Sequence, residues 1–329
     1  AAGTNVDRVT RVNKGGGKMD RLRKEHNYLL QLFIFGMVAL ILVACSSTAT
    51  APPQATPARQ IQVVTTMSVL SDMVARVGGE RARATNIIPL GAGPEDYQPS
   101  PDDARALAEA DIVFYNGHGL EAWLADLLNN VARPGQPRIA LSQGLPAIGA
   151  TDEFREGNPH FWMSAAFGAQ YVEKIRDGLS QVDPAGMALY TANADAYIKE
   201  LRALNAELKQ QAATLPLAAR KIVTNHDALP YFAQEYGFTI VGNVLGSAEA
   251  EPSAGDLAAL VQQIRREQVK AVFSESQFSP RLTTAIADEA GVKVVANLYT
   301  DTLGDASSGV ASYADMLRYD MKTIVDALR

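Results

Sequence analysis

The amino-acid sequence predicts an α/β protein with two lobes, each a mostly parallel sheet flanked by helices, joined by one long backbone helix. From residue 61 onward, short β-rich runs alternate with amphipathic stretches, which is the pattern of a parallel sheet covered by helices. This alternation fades after residue 141 and resumes at residue 221. Between the two halves, residues 184–215 form a long helical stretch with glycine only at position 186.

In the first half, strand candidates alternate with helical stretches. Residues 61–66 (IQVVTT) have the β-branched composition of a buried strand. The stretch that follows places Leu70, Met73, Val74 and Val77 on one helical face. Further strands are predicted at 84–90, 112–116 and 138–141, and further helices at 100–110, at 120–130 and after residue 162.

The second half repeats this plan after the backbone helix. At 1.5 Å per residue, the predicted helix would be about 48 Å long, the width of a two-lobed protein. Its apolar stripe is predicted at Leu189, Ala196, Tyr197, Leu201, Leu204 and Leu208. The later strands are predicted at 221–224, 239–245, 271–274 and 293–297, and the later helices at 229–236, 253–268, 280–290 and 313–328.

Composition and charge exclude several classes of protein. The chain has 329 residues, of which 47% are hydrophobic and 20% charged, which excludes a mainly disordered chain and a multi-span membrane protein. The net charge is −6, and residues 1–45 contribute +4, so the remaining residues carry −10. An acidic body argues against a nucleic-acid partner. The single cysteine, Cys45, excludes a disulfide framework.

The N-terminal region has the features of a targeting signal. Arg21, Arg23 and Lys24 precede residues 28–44, an uncharged apolar run that suits a secretory signal and is short for a membrane span. The run ends in LVAC, which resembles a bacterial lipobox, and this resemblance implies lipidation at Cys45. A plain membrane anchor with an incidental cysteine is the alternative. Residues 1–18 precede Met19, at which we expect translation to start.

These patterns divide the chain into five segments. They are upstream residues with a lipoprotein signal peptide at 1–45, a Pro- and Thr-rich flexible tether at 46–60, an N-terminal lobe at 61–183, the backbone helix at 184–215 and a C-terminal lobe at 216–329.

Polar residues that follow strands are the candidates for a binding site, because ligands of open α/β sheets bind beyond the carboxyl ends of the strands. His118, His226, Glu275 and Asp301 come after predicted strands, and His160 precedes the helix that closes the first half. Imidazoles and carboxylates brought together at such positions suit a divalent metal ion.

Five segments in order also carry a family resemblance over residues 61–329. The chain resembles the substrate-binding lipoproteins of bacterial zinc and manganese ABC importers, the family that includes the metal-binding "adhesin" lipoproteins. The segments are 94–101 (PEDYQPSP), 115–124 (YNGHGLEAWL), 158–162 (NPHFW), 224–232 (TNHDALPYF) and 299–301 (YTD).

The resemblance implies four metal ligands, which fall on Glu95, His160, His226 and Asp301. The family usually has histidine where this chain has Glu95, with Asp96 beside it as a substitute ligand. The resemblance implies that the transported ion is Zn²⁺ or Mn²⁺. A carboxylate makes the site harder and suits Mn²⁺ better than a third imidazole would.

The neighbouring candidates have other predicted roles. His118 is predicted as a structural residue in a tight Gly-His-Gly turn, with a ligand as the alternative. Glu275 is a candidate for orienting a ligand histidine. Tyr97 and Trp162 are predicted to pack around the cleft.

The resemblance further implies a monomeric, non-enzymatic protein that is lipid-anchored on the outer face of the cytoplasmic membrane and serves an ABC permease. Two alternatives stay open at this point. One is a receptor of similar architecture for a siderophore or cobalamin. The other is a metallohydrolase, although the chain has neither an H-E-x-x-H helix motif nor a G-x-S-x-G elbow.

Overall fold

The computed structural model describes residues 59–149, 155–245 and 252–329. The predicted signal segment, Cys45 and nearly all of the predicted tether therefore lie outside the described residues. Within the described ranges, no helix combines the length and the apolar character needed to cross a membrane.

Two four-stranded parallel sheets form the framework, and they share one topology. The first has the order β2-β1-β3-β4 and the second the order β6-β5-β7-β8. The strands are β1 (Ile61–Thr65), β2 (Ala82–Asn86), β3 (Ile112–Tyr115), β4 (Arg138–Ala140), β5 (Lys221–Thr224), β6 (Thr239–Asn243), β7 (Ala271–Glu275) and β8 (Lys293–Leu298). The predicted pair of parallel sheets is confirmed.

Helices cover both sheets and connect them. They are α1 (Ser68–Gly78), α2 (Pro101–Glu109), α3 (Ala122–Val131), α4 (Ala165–Val182), α5 (Met187–Ala213), α6 (Pro230–Tyr236), α7 (Ala254–Glu267), α8 (Arg281–Ala290) and α9 (Tyr313–Leu328). The long helix α5 packs against α1 and α4 of the first half and against α9 of the second. Short 3₁₀ turns include Phe161–Met163, directly before α4.

Local sequence fixes where several helices begin. Ser100 and Ser253 each accept a hydrogen bond from the third residue of the following helix, and the aspartate there bonds back to the serine backbone. This reciprocal arrangement satisfies amide groups that have no partner within the helix. In α2, Pro101 also supplies a backbone angle suited to the first helical position.

A close approach between α4 and the first sheet depends on Gly178. A Cβ atom at this position would lie 2.6 Å from Ile139 Cδ1 and 2.8 Å from the Phe114 ring. The helix can therefore pack directly on β3 and β4, which holds the segment before α4 at the carboxyl edge of this sheet.

The structure corrects the predicted bounds of β2. The prediction was 84–90, whereas the strand covers Ala82–Asn86, because Ile61 of β1 pairs with Ala82. The backbone amides of Ile87 and Ile88 still donate to Thr65, the last residue of β1, and to Thr66 directly after it, but Pro89 has no amide hydrogen and the chain turns away there. Residues 87–100 are consequently a loop.

The backbone helix also differs from its prediction. It begins after a 3₁₀ turn at Pro184–Gly186, and its 27 residues span about 40 Å. Leu189 is 40% exposed and Ala196 is exposed, so the stripe was wrong at these two positions. Tyr190 is buried in place of Leu189, because its hydroxyl group donates to Asp183 Oδ2 at 2.6 Å.

Candidate metal centre

Four side chains converge from four separate places in the chain. Glu95 lies in the loop after β2, His160 lies just before the 3₁₀ turn that leads into α4, His226 follows β5, and Asp301 follows β8. One donor atom from each residue can be chosen so that all four atoms lie within 4.8 Å of one another. The structure thus brings together the four residues that the family resemblance implies as metal ligands.

Several distances between donor atoms of these residues are close to the spacing around a single ion. Donors about 2.1 Å from a tetrahedral ion lie about 3.4 Å from one another. The two histidine Nε2 atoms are 3.3 Å apart, and His160 Nε2 lies 3.5 Å from Glu95 Oε1 and 3.6 Å from Asp301 Oδ1. His226 Nε2 lies 3.3 Å from Oδ2, the other oxygen of the Asp301 carboxylate, and 4.0 Å from Glu95 Oε1.

The cluster is almost fully shielded from water. The side chains of His160 and Asp301 are 0% exposed, and that of Glu95 is 8% exposed. Glu95 Oε1 and Asp301 Oδ1 are buried without a hydrogen-bond donor among the described residues. A buried carboxylate oxygen without a donor is costly unless a cation lies beside it. These two oxygens therefore indicate a cation site.

Each histidine is oriented through its other ring nitrogen. His160 Nδ1 lies 3.0 Å from Asn158 Oδ1, and His226 Nδ1 lies 2.6 Å from Glu275 Oε2. Since an amide oxygen and a carboxylate only accept, the proton of each neutral ring belongs on Nδ1. The Nε2 lone pairs then point to the cluster, as in metal-binding histidines generally.

Glu275 ties the second sheet to the site. Its side chain is buried, and Oε1 accepts hydrogen bonds from the backbone amides of Asn225 and His226 at 2.9 Å and 3.1 Å. Oε2 accepts a hydrogen bond from the Thr300 hydroxyl group at 2.7 Å. One carboxylate thus fixes the segment that carries His226 and contacts the residue before Asp301.

The electrostatics of the cluster favour positive charge. Burial lowers the pKa of His226, but Glu275 and Asp301 outweigh burial and hold that pKa well above its usual value. Burial raises the pKa of Asp301, and His226 and His160 reverse the effect and keep it below its usual value. A metal ion that binds His226 must therefore displace a proton.

The other candidate residues lie outside the cluster. Asp96 is exposed. His118 has a positive φ of 52° in its Gly-His-Gly turn, and its Nδ1 lies 2.7 Å from Ser142 Oγ. It lines a separate cavity of about 450 Å³ in the first half. Tyr97 packs edge-to-face on Trp123, at 5.3 Å between ring centres.

Trp162 links the two halves beside the cluster. Its indole Nε1 donates to the backbone oxygen of Thr300 at 2.6 Å, and its own backbone oxygen accepts from the Tyr313 hydroxyl group at 2.5 Å. A direct hydrogen bond therefore joins Trp162, two residues after His160, to Thr300, the residue before Asp301.

Sequence reasoning gave no role to Asn158 and Gln277. Asn158 contacts His160, and Gln277 Nε2 donates to Asp301 Oδ2 at 2.6 Å. Asn158 stands in the motif NPHFW and Gln277 in the turn directly after β7. Gln277 follows Glu275 by two residues, so its position just past the end of β7 was the available sequence signal.

A match to a protein-family model shows which family this chain belongs to. The model described as "ZnuA: Zinc-uptake complex component A periplasmic" matches residues 63–327, nearly all of the described chain. The chain belongs to the ZnuA family. The predicted resemblance to the substrate-binding components of zinc and manganese importers is confirmed as a family relationship.

Two relatives and a solved structure that the chain matches agree with this placement. The "Manganese-binding lipoprotein MntA" of Halalkalibacterium halodurans is 33% identical over 298 residues, which cover 90% of this chain and 97% of that protein. The "Manganese ABC transporter substrate-binding lipoprotein PsaA" of Streptococcus mitis is 28% identical over 305 residues, with 90% and 97% covered. The periplasmic zinc binding protein TroA from Treponema pallidum superposes with a TM-score of 0.76 at 28% identity, covering 82% of this chain and 99% of that one.

Proposed function

We propose that this chain is a solute-binding protein that captures Zn²⁺ or Mn²⁺ between its lobes and delivers the ion to an ABC import permease. The observation that carries the proposal is the buried cluster of two imidazoles and two carboxylates, with two oxygens that lack a donor among the described residues. The relatives named for manganese binding, zinc binding and ABC transport support it.

The division of the ligands between the halves suits capture and release. Glu95 and His160 belong to the first half of the chain, and His226 and Asp301 to the second. Movement of one half away from the other would separate the two pairs and remove half of the donors from the ion. The same geometry explains how a permease that draws the lobes apart would receive the cargo.

A role without catalysis fits this arrangement best. A catalytic zinc site keeps one position open for water or substrate, together with a nearby base. Here four protein side chains each offer one donor atom, all four atoms lie within 4.8 Å of one another, and the side chains of His160, His226 and Asp301 are at most 3% exposed. The close spacing also suits a single ion and leaves a siderophore or cobalamin unfavoured.

We further propose a location for the protein on the outer face of the cytoplasmic membrane. The lipobox-like LVAC sequence would give a diacylated Cys45 as the mature N-terminus, and residues 46–60 would tether the body to the membrane. Two relatives are named lipoproteins, which supports this placement. We expect the protein to act as a monomer.

Competitive metal titration tests the proposed function. Protein stripped with a chelator and dialysed should bind one Zn²⁺ or one Mn²⁺ per chain, and each ion should displace the other. Elemental analysis of protein purified without chelators should find a stoichiometric transition metal. No bound metal, or a coloured organic ligand in its place, would contradict the proposal.

A further inference from the structure

Gln277 donates a hydrogen bond to one of the two carboxylate oxygens of Asp301. It lies in the turn after β7, and its Nε2 donates to Asp301 Oδ2 at 2.6 Å and to Thr300 Oγ1 at 2.8 Å. The Thr300 hydroxyl group in turn donates to Glu275 Oε2. A side-chain amide has two hydrogens, so both hydrogens of Gln277 are used.

The orientation of this amide is fixed by its surroundings. Gln277 Nε2 also lies 3.4 Å from Glu275 Oε2, so the amide nitrogen faces two carboxylates and a hydroxyl oxygen. Rotating the amide by half a turn would place its oxygen against both carboxylates. Gln277 is therefore a donor to Asp301.

Both oxygens of Asp301 border the metal site, but they are not equivalent. Oδ1 lies 3.6 Å from His160 Nε2 and has no donor among the described residues. Oδ2 lies 3.3 Å from His226 Nε2, close enough for a shared ion, and yet it accepts the Gln277 hydrogen bond. Asp301 thus presents a single uncommitted oxygen to the ion.

We infer that Gln277 is a selectivity-determining residue that keeps Asp301 a one-oxygen ligand and so favours Zn²⁺ over Mn²⁺. One oxygen from Asp301, one from Glu95 and two imidazole nitrogens give four donors, the number typical of zinc. Mn²⁺ suits oxygen-rich sites of higher coordination number. The inference rests on the proposed function, since it concerns how the same site discriminates between two ions.

Removal of the amide donor tests this role. Gln277→Leu keeps a side chain of similar size and leaves Asp301 Oδ2 available as a second ligand atom. We expect the ratio of the Mn²⁺ and Zn²⁺ dissociation constants to shift toward Mn²⁺ on the order of tenfold, the scale of effects from residues that hold metal ligands. The number of light-atom ligands around bound Zn²⁺, measured by X-ray absorption, should rise as well.

A matched control separates selectivity from general damage. Gln263 Nε2 donates to the backbone oxygen of Val241 at 2.6 Å, and Gln263→Leu removes an amide donor in the same half of the chain without touching the cluster. Zinc affinity would be measured by competition with a fluorescent chelator, and manganese affinity by electron paramagnetic resonance of free Mn²⁺. Gln277→Met provides a second variant should Gln277→Leu not fold.

The outcomes distinguish this inference from the function on which it rests. A shift toward Mn²⁺ in the Gln277 variant, absent in the Gln263 variant, supports the inference. An unchanged ratio, or equal weakening of both ions, would overturn it while the wild-type protein still binds metal. Failure of the wild-type protein to bind either ion would overturn the proposed function itself.

Discussion

The side chains of the metal cluster are held in position by neighbouring residues that do not belong to the cluster. Asn158 faces Nδ1 of His160, and Glu275 faces Nδ1 of His226, so Nε2 of each ring faces the cluster. Gln277 holds the carboxylate of Asp301 by donating a hydrogen bond to Oδ2. At the scale of single residues, the site is therefore organised before the metal arrives.

Substitution of a ligand histidine should abolish the effect of metal on stability. A ligand that binds only the folded state stabilises it by about 4 kcal/mol at a thousandfold excess over Kd. We expect His160→Ala to lose this stabilisation, measured as the rise in Tm on adding Zn²⁺. His118→Ala should retain it, because His118 contacts Ser142 and lies outside the cluster. Equal losses in both variants would show that the ligand set is wrong.

Glu95 should influence which metal is preferred. Glu95→His adds a third imidazole and should shift relative affinity toward Zn²⁺, since nitrogen-rich sites favour zinc. Glu95→Ala should weaken both metals and leave the fold intact, because the residue lies in the loop between β2 and α2 and belongs to neither sheet. Paired Zn²⁺ and Mn²⁺ competition on wild type and both variants measures these effects. Wild-type binding by Glu95→Ala would exclude Glu95 as a ligand.

At the scale of elements, local patterns predicted the strands and helices well because each has its own periodicity. The ends of β5 and α9 agree with prediction to the residue. The predicted bounds of β2 were wrong at both ends. Pairing with β1 determines where the strand starts, and Pro89 limits how far it can continue, and neither produces a periodic pattern in the sequence. The helical stripe was wrong at Leu189 because a polar contact to Asp183 allows Tyr190 to be buried.

The residues on the buried face of α5 should contribute more to the stability of the protein than those on its exposed face. Leu204 is 1% exposed and Leu189 is 40% exposed on the same helix. Leu204→Ala should lower the free energy of unfolding by about 2–5 kcal/mol through the cavity that it leaves. Leu189→Ala should change it by about 0.5 kcal/mol or less. Chemical denaturation in the presence of a chelator would measure both, and similar effects would contradict the assigned face.

At the scale of the whole molecule, the sequence motifs predicted the four clustered residues and a role for Glu275 beside them, but not the contacts of Gln277 and Trp162. Asp301 and Gln277 are separated by 24 residues, so their contact depends on how the ends of β7 and β8 lie side by side. Likewise, Trp162 and Thr300 are 138 residues apart and meet only because the two halves pack together. Such contacts have no local sequence signal.

The proposed membrane anchor gives a prediction for the full-length chain. Cys45→Ala removes the site of lipidation, and firm anchoring requires two acyl chains or an equivalent pair of signals. We expect the variant to leave the membrane fraction or to remain unprocessed, as seen by cell fractionation and immunoblotting. A processed Cys45→Ala protein that still fractionates with membranes would contradict the lipobox interpretation.

Anomalous diffraction from crystals grown with Zn²⁺ tests the central claim most directly. A map calculated from data at the zinc absorption edge should show one strong peak between the two lobes, about 2.0–2.2 Å from donor atoms of Glu95, His160, His226 and Asp301. A map with no peak at this position, or with its strongest peak beside His118, would contradict the account.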